Sequence, residues 1–195
     1  MPKQVDHDER RAEIANATWR LIAERGIEAT TMRAISSAIG MAHGALKHYF
    51  PDKNALIKTA FTHVFDATNT RIRERLGEAT GLAGLRIFCL EVLPIEDVTK
   101  LEARVVIPFW QRALADAGLQ SVFTDAMNVW RQQIHAFLRA ARADGSVRAS
   151  TPDEAIVEHL LAMLNGAQIL AVLTSDTTTP KLQQQMIDSF LEGLG

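Results

Sequence analysis

An all-helical fold is what this 195-residue sequence predicts, and three observations carry the expectation. Apolar residues recur at three- and four-residue spacing along most of the chain, which is the period of one helix face. Glycine or proline punctuates the chain where those runs stop. Almost no stretch alternates apolar and polar residues as a half-buried strand does.

Taken in order, the first run covers Asp8 to Arg25, with Ile14, Ala15, Ala17, Thr18, Leu21 and Ile22 on its inward side and Gly26 as its stop. Thr31 can then cap a short helix over Met32 to Ile39, because its hydroxyl can accept an otherwise orphaned backbone N–H of the first turn. Met32, Ile35 and Ile39 share one side of that helix, and Gly40 can take the left-handed conformation that redirects the chain. A second short helix follows through Met41-Ala42-His43-Gly44-Ala45-Leu46-Lys47-His48-Tyr49-Phe50. Leu46 and Phe50 are four apart and pack inward, so His43 and Lys47, and less directly His48, face out. Pro51 disfavours helical geometry at Phe50, and Asp52 is a natural cap for the next helix. That helix presents free N–H groups beside the Lys53 ammonium, a combination suited to a phosphate. A short helix, a glycine turn and a second short helix tipped with basic and aromatic groups form a helix-turn-helix suited to reading DNA.

The remaining elements are longer. Leu56, Ile57, Ala60, Phe61, Val64, Phe65 and Thr68 continue one helix from Lys53 to about Leu76, and Gly77 to Gly84 reads as a boundary loop. Helices then run over Leu85 to Leu93, over Val98 to Ala117 with Pro108 as a kink, and over Leu119 to Asp144, before an Asp144-Gly145-Ser146 turn. Between Ala155 and Leu173 apolar residues fall on nearly every face, so one side needs a partner besides the core. The last helix, Pro180 to Leu194, puts Leu182, Met186, Phe190 and Leu194 on a narrower stripe and keeps Lys181, Gln183, Gln184 and Gln185 wet. Asn165-Gly166 leaves room for a neighbouring backbone. These features predict a homodimer held through Ala155 to Leu173 and Pro180 to Leu194 of each subunit. Packing of both helices wholly inside one subunit is the competing reading.

The pattern Thr31-Met32-Arg33-x-Ile35-x-x-x-Ile39-Gly40, then Gly44-x-Leu46-x-x-Tyr49-Phe50-x-x-Lys53-x-x-Leu56, resembles the DNA-binding signature of the tetracycline-repressor (TetR) family. The resemblance spans roughly residues 8 to 57. It implies about nine helices: a three-helix DNA-binding domain over residues 1–52, followed over 53–195 by a larger domain for effector binding and dimerisation. Leu46 to Leu56, Phe109-Trp110 and Asn165-Gly166 are similar to the choline-responsive, BetI-like branch. Two positions depart from the family pattern: Ala42 stands where a Ser or Thr cap is common, and Lys47 where Tyr is common. The family pattern carries base contact onto Arg33, His43, Gly44, Ala45 and Lys47, and phosphate contact onto Thr31, His48, Tyr49 and Lys53. By their chemistry, Arg33 offers guanine a two-pronged fork, Lys47 a point charge to guanine or phosphate, and Ala45 a methyl surface to thymine.

Two copies of such a helix enter successive major grooves about 34–36 Å apart, so the expected operator is an inverted repeat in double-stranded DNA. Net charge is −2, but residues 1–60 hold 9 basic against 7 acidic side chains and three of the six histidines, which places a mild basic balance at the DNA end. For a small-molecule effector, the aromatic-rich middle supplies Phe65, Phe88, Phe109, Trp110, Met127 and Trp130, with His159 and Gln168 as polar orienters. A quaternary ammonium held by aromatic faces and an apolar acyl or aromatic ligand both fit this lining.

No nucleophile elbow, phosphate loop, dinucleotide fingerprint or metal-ligand spacing is present, which argues against an enzyme and against a metal or cofactor. The lone Cys89, and the lack of a signal peptide or membrane-length apolar run, lead to an expectation of a cytoplasmic protein that does not meet a membrane. A ligand-relieved repressor is the function this pattern predicts. A helical protein-interaction module that never meets DNA is the alternative.

Overall fold

A computed structural model describes the backbone from Pro2 to Gly195 and the side chains of His7 and of Glu9 onward; Met1 and the side chain of Asp8 lie outside the described residues. Nine helices and no strand occur among the described residues: α1 (Pro2–Arg25), α2 (Met32–Ala38), α3 (His43–Tyr49), α4 (Lys53–Leu76), α5 (Gly81–Val92), α6 (Asp97–Ala113), α7 (Ala117–Ala143), α8 (Asp153–Leu173) and α9 (Pro180–Glu192). The chain falls into two compact units. One comprises the residues up to Asp66 with Arg104–Val122, the other Ala67–Ala103 with Phe123–Gly195. The break therefore falls inside α4, α6 and α7 rather than at the glycine-rich loop.

In the first unit, α1 to α3 and the start of α4 close on Ile14, Leu21, Ile35, Leu46, Phe50 and Leu56, with Met32, Ile39, Met41, Tyr49 and Ala55 packed around them. Gly26, at φ +79°, ends α1 in the left-handed region that glycine enters without steric cost. Phe61 of α4 stacks on Phe109 of α6 at 3.9 Å between centroids, and Arg104 donates to the Ala23 carbonyl at 3.3 Å.

In the second unit, the end of α4 is tied to α5 and α6 by charge. Arg71 grips the buried Glu102 with two bonds, Nη1 to Oε1 at 2.8 Å and Nη2 to Oε2 at 2.7 Å. The equally buried Glu91 takes Arg75 Nε at 3.0 Å and stands 3.5 Å from Arg71 Nε. Burial opposes the Arg71 charge, but the bond to Glu102 and the attraction of Glu102 and Glu91 outweigh it, and the guanidinium is held above its ordinary value. Phe88, fully buried, meets Trp130 edge-on at 5.7 Å. Cys89 is buried beside it, and desolvation pushes its thiol up to about 12, the behaviour of a small hydrophobe rather than a reactive thiol.

Four expectations need correction. α5 begins at Gly81, not Leu85, because Gly84 belongs to the helix: a Cβ there would lie 2.7 Å from Phe137 Cε1, so the glycine serves close packing rather than a loop. α6 stops at Ala113, not Ala117, because Asp116 Oδ1 accepts the Leu119 N–H at 3.0 Å and caps α7. α9 turns a different face inward: Gln183, Ile187 and Leu191 are buried while Leu182 and Met186 are each 42% exposed. The Gln183 amide is half-paired: Nε2 donates to the Thr178 carbonyl at 3.2 Å, and Oε1 is buried without a hydrogen-bond partner. Finally, α8 is long and apolar enough by composition to cross a membrane, contrary to the sequence expectation. Its buried residues, Ile156, Val157, Leu160, Leu161, Leu164, Ala167 and Gln168, pack into the second unit instead.

Candidate nucleic-acid interface and effector region

The turn between α2 and α3 is built from backbone hydrogen bonds that require a left-handed residue. Gly40 has φ +64°, its N–H donates to Ser37 O at 3.3 Å, and Met41 N–H donates to Ser36 O at 2.8 Å, a Schellman closure of α2. At the other end of α2, Thr31 Oγ accepts the Ala34 N–H at 3.1 Å, and Ser36 Oγ returns to Met32 O at 2.8 Å. Leu46 is fully buried and Phe50 nearly so, which fixes the rotation of α3. His43, Gly44, Lys47 and His48 are consequently exposed, with Ala45 half-buried. Arg33 and Thr31 are exposed on α2.

Two of the expected phosphate contacts carry additional partners. Tyr49 is half-buried in the apolar cluster and meets the His7 ring at 4.8 Å. Lys53 Nζ lies 3.9 Å from Glu28 Oε2. Asp52 caps α4 as expected, with Oδ1 accepting the Ala55 N–H at 2.8 Å. Ala42, at the N-cap of α3, makes no side-chain hydrogen bond, so the first turn of the recognition helix has an orphan donor that solvent must satisfy.

The expected effector residues divide between the units. Phe65, Phe109 and Trp110 belong to the first, Phe88, Met127, Trp130, His159 and Gln168 to the second. In the second unit, Trp130 Nε1 donates to Asn69 Oδ1 at 3.2 Å, Gln133 Nε2 to the same oxygen at 3.4 Å, and Gln168 Nε2 to Val92 O at 2.6 Å. His159 is exposed on α8, packed edge-on against Phe190 at 4.8 Å. Asn69, Glu91 and Glu102 are buried polar groups that sequence reasoning passed over. Glu91 had a visible signal, a single carboxylate inside the apolar run Ile87 to Leu93. Among the described residues, no group of three His, Cys, Asp or Glu is placed to hold a metal.

An exposed basic helix seated by a tight glycine turn defines a helix-turn-helix of the kind that DNA-binding regulators use. The family model for bacterial regulatory proteins of the tetR family matches residues 14–60, and that for the C-terminal region of BetI-type transcriptional repressors matches 82–195. The transcriptional regulator PksA of Bacillus subtilis (strain 168) is 31% identical over 179 residues, covering 89% of this chain and 83% of that protein. BetI of Burkholderia mallei (strain NCTC 10229) is 24% identical over 197 residues, covering 100% and 97%. A regulator from Saccharomonospora viridis, solved in complex with choline, shares the fold at a TM-score of 0.85 with 21% identity, over 95% of this chain and 96% of that one. A transcriptional regulator from Rhodococcus sp. Rha1 superposes at 0.83 with 22% identity, over 94% and 95%. The chain belongs to the TetR family and carries a BetI-type C-terminal region: it is a DNA-binding transcriptional regulator, not an enzyme.

Ala42→Ser supplies the missing cap. It is expected to raise unfolding stability by ~1 kcal/mol in urea denaturation, with the slope of the transition unchanged.

Proposed function

We propose that the protein is a homodimeric repressor that reads an inverted-repeat operator through His43–Tyr49 of each subunit and is released by a small-molecule effector. Residues 1–52 do the reading, and 53–195 do the sensing and pairing. The observation that carries this reading is the outward face of α3: Leu46 and Phe50 are held in the core, so His43 and Lys47 are committed to whatever lies outside it. Arg33, His43, Gly44, Ala45 and Lys47 address base edges, and Thr31, His48, Tyr49 and Lys53 address phosphates. Lys53 exchanges Glu28 for a phosphate as DNA arrives. The protein acts in the cytoplasm, where such an operator is found.

The subunit contact is assigned to α8 and α9. Ile169, Leu170 and Leu173 on α8 and Leu182 and Met186 on α9 are all exposed, Leu173 at 74%. Leu170 and Met186 also line an apolar hollow of about 170 Å³ with Gly166. A Cβ at Gly166 would meet nothing within 4 Å in the chain, so a neighbouring subunit has room to approach. Contiguous apolar surface of this kind is uncommon on a monomer and marks an association site.

The effector is assigned to the second unit, around Phe88, Met127, Trp130 and Gln168, with Asn69 added and the exposed His159 left out. Its class is a small quaternary ammonium, drawn to the Trp130 and Phe88 rings; the choline held by the Saccharomonospora viridis regulator supports that choice. Such a ligand favours the subunit arrangement in which the recognition helices no longer match the operator spacing. Effector and operator then weaken each other by the same factor.

Selection of bound fragments from the genome is expected to return an inverted repeat whose binding weakens steeply with salt. Lys47→Ala should cost the operator about 1–3 kcal/mol while leaving random duplex nearly unchanged. Absence of salt-sensitive duplex binding would reject the regulator reading in favour of an interaction module. In sedimentation equilibrium, Leu173→Glu with Met186→Glu should convert a dimer to a folded monomer; a dimer that survives both changes would place the contact elsewhere. Titrated against the operator complex, choline and betaine aldehyde are expected to release DNA, and release by acyl or aromatic compounds alone would reassign the effector class.

A further inference from the structure

Asn54 is the second residue of α4, immediately after Lys53, and both ends of its amide are taken by residues far along the chain. Nδ2 donates to Asp116 Oδ2 at 2.9 Å, and Oδ1 accepts from Arg112 Nη1 at 3.3 Å. Asp116 serves twice, since its other oxygen caps α7 through the Leu119 N–H at 3.0 Å. Arg112 also faces Glu28, with Nη2 3.7 Å from Oε1, and Glu28 in turn faces Lys53 at 3.9 Å. Glu28, Asn54, Arg112 and Asp116 line a polar hollow of about 300 Å³ within the first unit.

The first turn of a helix needs no such arrangement for its own sake. Asp52 already caps it through the Ala55 N–H, and an asparagine at this position is free to face water. An amide engaged at both its donor and its acceptor has no rotation left, and it fixes the backbone that bears it. The residue beside it is the cation expected to hold phosphate, and the helix N-terminus supplies the accompanying N–H groups. Glu28 is a resting partner that leaves readily, since its own side chain is 85% exposed, while the Lys53 side chain beside it is 30% exposed. When a phosphate displaces Glu28, Arg112 still neutralises that carboxylate.

We infer that Asn54 is a positioning residue for DNA binding: held by Asp116 and Arg112, it sets the direction of the Lys53 ammonium and of the first-turn N–H groups of α4. The role goes beyond the contacts read from the motif, and it rests on the reading of Lys53 as a phosphate contact. Because phosphate contacts carry no sequence information, the effect of losing Asn54 is uniform over sequences.

The test uses the full-length protein, the selected operator and a random duplex of equal length, with fluorescence anisotropy read across a salt series. Asn54→Ala is expected to weaken both complexes about ten-fold and to lower the slope of log K against log salt by about one unit per subunit. Lys53→Ala should do the same, and the double variant should be no worse than Lys53→Ala alone. Asn54→Asp, which sets two carboxylates against each other, should match Asn54→Ala. Asn54→Asp with Asp116→Asn lets donor and acceptor change places while Asn still caps α7, and should return affinity to within about three-fold of the starting protein. If Asn54→Ala lowers the melting temperature but keeps both affinity and slope, the residue is merely structural and the inference is overturned. It is equally overturned if the Asn54 and Lys53 losses multiply. If the unaltered protein binds neither duplex, it is the DNA-binding reading itself that fails.

Discussion

The burial of Leu46 and Phe50 against Ile14, Leu21, Ile35 and Leu56 is the constraint on which the rest depends. A helix as short as α3 has no independent stability, since nucleation alone is unfavourable at that length. Its existence and its rotation are both imposed by those two side chains. With Leu46 fully buried, Lys47 one residue on is turned out by about 100°, and His43 is exposed because it is the first residue of α3, at the open end of the helix. The same cluster holds Leu56, so α4 leaves the motif at a fixed register, and Pro51 with the Asp52 cap makes the intervening corner too short to slip. The outward face at this end of the chain is therefore a consequence of packing: the side chains left to solvent, His43, Lys47 and His48, are those the core had no room for.

Charge organises the second unit as apolar burial organises the first. Two carboxylates, Glu91 and Glu102, are buried there, and an unpaired buried carboxylate would cost several kcal/mol. Arg71 and Arg75 leave α4 one turn apart and meet both. The two-pronged grip of Arg71 on Glu102 is directional, so it fixes the end of α4 against α5 and α6 in orientation as well as in distance. A greasier contact of equal strength would tolerate sliding.

What was legible in the sequence was whatever a few neighbouring residues decide. Gly26, Gly40 and Gly145 all have positive φ, and Thr31 and Asp52 cap the helices they precede. The contents of the helix-turn-helix and the outward turn of Lys47 and His48 follow from spacing because the motif is nearly self-contained, and His43 is exposed as the first residue of α3. Legibility failed where a distant partner overrides local preference. Gly84 looks like a loop residue until Phe137 of α7 is known to lie against it. Gln183 looks wet until the Thr178 carbonyl is found to take its N–H, and the inward face of α9 is set by Ile187 and Leu191 rather than by Leu182 and Met186. The surroundings of the residues expected to hold an effector were the least legible for the same reason. Asn69 joins Trp130 across 61 positions of sequence, and nothing local marks His159 as turned to solvent.

The same reasoning separates two meanings of the apolar length of α8. A helix that crosses lipid must be apolar on every face along its whole length, and its polar groups must find partners inside the bundle. α8 does not meet that description, because Glu154, Glu158 and His159 are exposed along its first two turns. In its last two turns, Gln168 is buried and spends an N–H on the Val92 carbonyl of α5, a bond that a globular core supplies. Its uncovered apolar residues, Ile169, Leu170 and Leu173, crowd the C-terminal third, and Leu182 and Met186 of α9 are uncovered too. A surface polar at one end and apolar at the other suits a partner of limited extent with a matching patch. A second copy of the same two helices has such a patch by symmetry, whereas a bilayer would have to solvate Glu154 and Glu158 as well.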